Sequence, residues 1–341
     1  MSRRGSLLFA AMCLIWGVPY LLIRVAVEDM SPATVVFLRT GIAALVLAPV
    51  AVRRGGLSDL VARWRPLLVY SAIEVALPWW FLTDAERHLS SALAGLLLAA
   101  VPLFGIVLAR MFGFAEVVDR WRMLGLVLGA GGVAALVGLQ LGHIDVLAVG
   151  AVLLTALGYA AGPLILSRRL ADLPAVNVVA ASLLVSSLVW APAAAASWPT
   201  SVSAKAAASV VALALVCTAV AFLVFFALIA EVGPSRATVI TFVNPAVAIL
   251  LGMAALGERF TAGMAVGFPL VLAGSVLATR VSPAGGGPQA VPGRRAARYR
   301  RTTALLSPPA RRSSRRPGRH SPTAPVEGRT ARTSVDRPAV R

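Results

Sequence analysis

The sequence predicts an all-α integral membrane protein of ten transmembrane helices built as two inverted five-helix repeats, with a disordered C-terminal tail. Three observations carry that prediction. Of 341 residues, 58% are apolar and 13% charged, about half the charge of a water-soluble domain. Apolar segments recur at roughly the twenty-residue length that a hydrocarbon core of about 30 Å demands. The chain also matches itself at an offset of 142 to 143 residues.

Taken in order, the apolar segments fall at 6–26, 32–52, 66–83, 89–110, 121–139, 146–166, 174–196, 207–230, 234–256 and 262–279, each bounded by charges, Pro or Gly. Arg3 and Arg4 resemble the head of a signal peptide. The apolar stretch behind them continues past Ile15 to Val27 without a small-x-small cleavage site, so it reads as an uncleaved helix. Cytoplasmic loops retain Lys and Arg during insertion. With the N-terminus inside, the inner side collects thirteen basic residues, Arg53, Arg54, Arg168 and Arg169 among them, against Arg24, Arg87, Lys205 and Arg259 outside. Both termini are therefore expected in the cytoplasm. The heavy use of Arg, Ala, Gly and Pro points to a GC-rich bacterial genome, and so to the bacterial inner membrane.

Pro32 to Pro49 maps onto Pro174 to Pro192, and Val101-Pro102 onto Asn244-Pro245. After a one-residue slip, Glu116, Gly125 and Gly132 map onto Glu258, Gly267 and Gly274. The expected organisation is a first repeat at 1–140, a second at 141–280 and an Arg- and Pro-rich tail at 281–341. Five is odd, so the second repeat enters the membrane from the opposite face. That is the architecture of secondary transporters, with a site at mid-membrane between repeats that rock against each other.

Trp16-Gly17, Arg39, Pro102, Asn244-Pro245, Gly257-Glu258, Gly267 and Gly274 together resemble the EamA type of the drug/metabolite transporter superfamily, over about residues 6–280. The resemblance implies a central cavity lined by the first, third and fourth helices and their second-repeat equivalents. It also implies carriage of amino acids, sugars, nucleotide precursors or drugs, in many members outward. The second repeat carries Gly158-Tyr159 instead of the Trp-Gly pair.

Glu74 stands about 13 Å into the third helix, where a lipid-facing carboxylate costs about 2.5 kcal/mol or more. It is thus expected to face a cavity or a partner, or to carry a proton that moves during the cycle. The alternative is a structural Glu satisfied by neighbouring hydroxyls. Cys217 holds the matching position in the second repeat. Tyr70 and Pro78 share the Glu74 face, while Trp79, Trp80 and Phe81 read as cavity wall or as an interfacial aromatic belt, the belt being favoured for the tryptophans. Arg39, about 10 Å below the outer surface, is expected to snorkel or pack statically, with a pair to Glu74 as the alternative. Arg24 and Glu28 read as an exposed i, i+4 pair.

Cys13, Trp16, Gly17, Tyr20 and Arg24 form a stripe on the first helix, either cavity lining or packing. Thr238, Thr241 and Asn244 form a polar stripe ending at Pro245. Pro102 and Pro245 each free a backbone carbonyl, tolerated at mid-membrane only where protein or water satisfies it, which makes both candidates for a hinge or site. Tyr159 and Thr155 join them. Glu116 and Glu258 read as N-terminal helix charges. The Gly-x-x-x-Gly pairs at 125/129, 158/162 and 263/267 are packing devices within the bundle or between protomers of a homodimer.

Other signals are set aside. Gly129 to Ala134 fits a dinucleotide fingerprint by letter but lies inside a membrane helix with no strand before it. His88, His143 and His320 are scattered, and Cys13 and Cys217 lie in apolar runs, so neither a metal centre nor a disulfide framework is suggested and no cofactor is expected. Asp84 and Glu86 read as loop charges at the outer edge. In the tail, fourteen Arg face only Glu327 and Asp336, a composition expected to stay disordered and able to contact anionic lipid. The function these features favour is a gradient-driven exporter of a small metabolite, amino acid or drug-like compound, with proton coupling through Glu74 as one option, since no ATP-binding loop appears. The competing class is a membrane-embedded enzyme acting on a lipid-linked substrate.

Overall fold

The computed structural model describes residues 2–113, 120–139, 145–233, 237 and 239–278. The readings made for Glu116, His143, Arg236, Thr238, Arg280, His320 and the tail at 281–341 lie outside them. Among the described residues the chain is helical, with no strand. Eight helices have the length and apolar character to cross a membrane: α1 (Arg3–Ala26), α2 (Pro32–Arg54), α3 (Trp64–Ala85), α4 (Ser91–Met111), α5 (Arg120–Gly138), α6 (Val146–Leu170), α7 (Ala175–Ala196) and α8 (Ala204–Val232). Two shorter apolar helices follow, α9 (Ile240–Leu256) and α10 (Ala262–Ala278).

Local chemistry starts these helices where the sequence allows it. Ser31, Ser90, Ser203 and Thr261 accept the backbone N–H three residues on, and Asp145 accepts those of Leu147 and Ala148, so each satisfies N–H groups that a helix start leaves without partners. Pro32 fills the first position of α2, where a missing N–H costs nothing. The outward faces are apolar: Leu45 is 74% and Leu147 86% exposed. Such a surface suits hydrocarbon, not water.

Helix contacts follow a regular scheme. α1 packs on α8 and α9, α6 packs on α3 and α4, α2 packs on α7, α4 on α9 and α5 on α10. Close approach between α5 and α10 depends on glycine: a Cβ on Gly132 would sit 2.6 Å from the Val271 nitrogen, and one on Gly274 would meet the Gly125 carbonyl at 2.6 Å. The Gly125/129 and Gly263/267 pairs therefore pack helices within the bundle. One buried core joins Tyr20, Ile23, Leu96, Leu97, Val152 and Leu213. A second joins Val36, Leu47, Trp79, Val179 and Leu183.

Several helices are irregular at positions that bear on the site. α1 is interrupted at Val18, between Gly17 and Pro19. α3 widens into a π turn at Ser71–Ala76 and α8 at Leu215–Val220. α4 breaks at Ala99 and Ala100, just before Pro102. The Leu103 N–H turns to Ala100, and the Ala99 carbonyl accepts the Ser275 hydroxyl of α10 at 2.9 Å. The Ala99 carbonyl that this shift frees is thus met by protein. Pro245 differs: it lies inside a continuous α9.

Candidate functional site

The site is organised around Arg39. Projecting from α2, it is only 7% exposed. Its Nε donates to Thr218 Oγ1 at 3.0 Å, and its guanidinium lies 3.8 Å from the centroid of the Trp79 ring. Thr218 donates in turn to the Leu213 carbonyl at 2.8 Å across the π turn of α8. Hydroxyl acceptance and a desolvated cation–π contact, the latter worth about 2 kcal/mol, replace the water a guanidinium would otherwise require. One expectation is narrowed here and one corrected. Of the readings open for Arg39, static packing is the one observed: it neither snorkels nor pairs with Glu74, because α8 and α3 supply its partners inside the bundle. Trp79 is buried under that cation and is no interfacial belt residue; Trp80 stacks on Trp190 with centroids 5.3 Å apart.

Around the guanidinium stand Tyr20 of α1, Tyr159 of α6, Cys217 of α8 and Glu86 at the end of α3, all within electrostatic reach. Tyr20 lies against the Gly95 backbone of α4. Tyr159 also interacts with Glu74, so it stands between the acid of α3 and the base of α2. Glu74 Oε2 is buried without a hydrogen-bond partner among the described residues. It rests against Gly162 of α6, where any side chain would overlap the carboxyl group. Gly158, one turn earlier, admits the Ile73 carbonyl and Pro78. The Gly158/162 pair thus fits α6 to the acid-bearing turn of α3. Tyr70 reaches Glu74 electrostatically, but its ring packs with Leu60, Leu67 and Leu170.

The remaining candidates frame this row. Thr155 donates to the Pro78 carbonyl at 3.0 Å, and Trp190 Nε1 to the Ala76 carbonyl at 2.9 Å, so the irregular stretch of α3 is held from both α6 and α7. Asn244 is buried on α9 with Oδ1 unpartnered among the described residues, its backbone facing Gly17 of α1. Pro245 is buried beside it, and Thr241 is half-buried one turn earlier. Trp16 packs into an aromatic group with Phe222 and Phe225 of α8, at centroid distances of 6.1 and 4.8 Å. Pro102 sits at the break of α4.

Three acidic readings change. Glu28 pairs with Lys205 at 3.3 Å, not with Arg24, which donates to the Glu86 backbone carbonyl at 3.1 Å. Glu86 is no loop charge: it is 0% exposed. Glu258 does stabilise a helix start, but that of α4, accepting from Ser91 N at 2.7 Å and Ala92 N at 3.0 Å. Gly257 makes this reach possible. At φ +66° it turns the chain back so that Glu258 N–H meets the Gly252 carbonyl. Thr218, Ser275 and Glu86 were missed from sequence. For Glu86 a signal existed, because Trp79, Leu82, Glu86 and Leu89 recur at helical spacing on one face while Asp84 and Arg87 take the other.

The EamA-like transporter family matches residues 3–138 and again 146–280. An uncharacterized transporter of Bacillus subtilis, YvbV, is 26% identical over 294 residues, covering 83% of this chain and 94% of its own. The uncharacterized inner membrane transporter YedA of Escherichia coli K12 is 31% identical over 268 residues, covering 74% and 82%. A solved crystal structure shares the fold with a TM-score of 0.56 at 22% identity, covering 81% of this chain and 96% of that one. With both halves matched and the relatives spanned nearly end to end, the chain belongs to the EamA-like transporter family and is a multi-pass membrane transporter.

Proposed function

We propose that the protein is a secondary transporter that exports a small metabolite, amino acid or drug-like compound across the bacterial inner membrane by alternating access. Its ten helices form two inverted five-helix repeats, 1–140 and 141–280, with both termini cytoplasmic and the tail from 281 against anionic lipid. One observation carries this reading. Exchanging the first five helices for the last five preserves the principal contacts between the halves: α1 on α8 and α9 becomes α6 on α3 and α4, while α2–α7, α4–α9 and α5–α10 map onto themselves. The two stretches matched by the family support the same division.

In this reading the substrate binds between the halves, where Trp16, Tyr20, Arg39, Tyr159, Thr241 and Asn244 offer aromatic faces and hydrogen-bonding groups. Pro102 and Pro245 mark the segments that flex. Glu74, held against Gly162 and flanked by Tyr70 and Tyr159, carries the coupling proton. The test is flux in proteoliposomes containing the full chain, with labelled amino acids and drug-like cations as probes, with and without a pH gradient. Glu74→Gln is expected to retain exchange between equal substrate pools while losing all pH-driven accumulation. Unaltered pH-driven accumulation in that variant removes Glu74 from the coupling step, and a chain that moves none of the probes overturns transport of these classes.

A further inference from the structure

Glu86 is the buried acid that the transport scheme above does not use. It follows the last residue of α3, and both carboxyl oxygens are buried with no hydrogen-bond partner among the described residues. The cations near it are engaged elsewhere. Arg24 of α1 donates to the backbone carbonyl of Glu86, not to its carboxyl group, and Arg39 of α2 is held by Thr218 and Trp79. Tyr20 of α1 and Tyr159 of α6 also face it. From the α9–α10 junction comes a second acid, Glu258, clamped on the first N–H groups of α4.

A bare carboxylate sealed from water without hydrogen bonds is strongly disfavoured, and a neighbouring like charge adds to that cost. A proton on Glu86 removes the like-charge repulsion, replaces the cost of a buried charge by the smaller one of a buried neutral acid, and needs no additional space. Burial first, and Glu258 second, push the Glu86 carboxyl above the usual carboxylate range, against a weaker opposing pull from Arg24 and Arg39.

We propose that Glu86 is a proton-binding site and that this end of the bundle closes only when the proton is in place. Closure brings Glu258 onto α4 and seals Glu86 beside it, an arrangement that excludes the charged form. Opening withdraws the like charge and admits water, so the proton leaves toward that end. The closure step rests on the alternating-access reading; proton occupancy does not.

The test uses the full chain in liposomes, without added substrate. Difference infrared spectroscopy at neutral pH is expected to show a protonated carboxyl band that is absent in Glu86→Gln and retained in Glu74→Gln. Should the Gln variant not fold, Glu258→Gln serves instead: without the like charge, the Glu86 band should titrate about one pH unit lower. Amide hydrogen exchange at Leu89–Ala94 then reads closure. Above the titration of Glu86 the wild type should exchange about tenfold faster than Glu86→Gln at the same pH. A missing band, a band unchanged by Glu86→Gln, or a titration unmoved by Glu258→Gln overturns the site, and equal exchange overturns the closure step. A protein that carries none of the flux probes would refute their transport without altering the infrared result.

Discussion

In α3 the π turn spans Ser71–Ala76 and in α8 it spans Leu215–Val220, yet the side chains on the two turns have opposite uses. At the repeat offset, Glu74 faces Cys217 and Val75 faces Thr218. The α8 turn meets the charge of another helix: Thr218 accepts from Arg39 while its own proton goes to Leu213. The α3 turn brings a charge-bearing group of its own and leaves Glu74 Oε2 without a partner. One irregularity therefore serves as a socket in one half and as the carrier of an acid in the other. The helices that close over the turns differ accordingly, since α6 offers Gly158 and Gly162 to α3 whereas α1 brings Trp16 to α8.

The contrast breaks most severely at Gly158. A Cβ there would lie 2.5 Å from the Ile73 carbonyl oxygen and 2.7 Å from Pro78 Cγ, atoms fixed by the helix itself. Gly158→Ala is expected to lower stability by about 3 kcal/mol, measured by thermal unfolding in detergent; a melting temperature equal to wild type would mean that α3 yields to the added methyl group. Second comes the socket. Thr218→Val installs the residue that α3 has at its matching position and leaves the Arg39 Nε–H unpaired, at a cost of about 2 kcal/mol in the same assay. A stability equal to wild type would mean that Trp79 alone holds Arg39.

The smallest effect lies where the two helices begin. α3 is preceded by Arg63, whose guanidinium pairs in two-pronged fashion with Asp172 at 2.9 and 2.5 Å. At the start of α8, Asp29 accepts the Ser203 N–H at 2.9 Å. The hydroxyl and N–H of Ser203 hold the Asp29 carboxyl below its usual range, so its stabilising contribution is complete above the unfolded-state titration and fades as pH falls through the folded one. Asp29→Asn should thus lower the melting temperature slightly at neutral pH, and the gap should close in acid. A gap independent of pH would assign the effect to packing.

The apolar spans, the offset of the two halves and the glycine seams were legible in sequence because length, periodicity and small residues report directly on helix crossing and contact. The candidate residues were legible individually, but their partners were not. For Arg39 the choice between snorkelling and static packing stayed open, since depth along a helix is readable and direction around it is not; the hydroxyl that holds it lies 179 positions away. Glu258 was assigned to the helix that follows it, because sequence proximity says nothing about a left-handed turn at Gly257 that redirects the chain to α4. Glu86 looked like a loop charge among Asp84, Arg87 and His88, although its helical spacing from Trp79 and Leu82 already set it on the inner face.

The interruption of α4 has a mechanical meaning. Its two pieces, Ser91–Leu98 and Val101–Met111, share no continuous ladder across Ala99 and Ala100, and the joint is tied to α10 by a serine hydroxyl. At such a joint the two pieces can change their mutual angle without breaking a rung of either ladder, and the hydroxyl bond to Ala99, about 1 kcal/mol, is the polar contact that such a change would exchange. The piece nearest Glu258 therefore takes its polar anchor at the joint from another helix, α10.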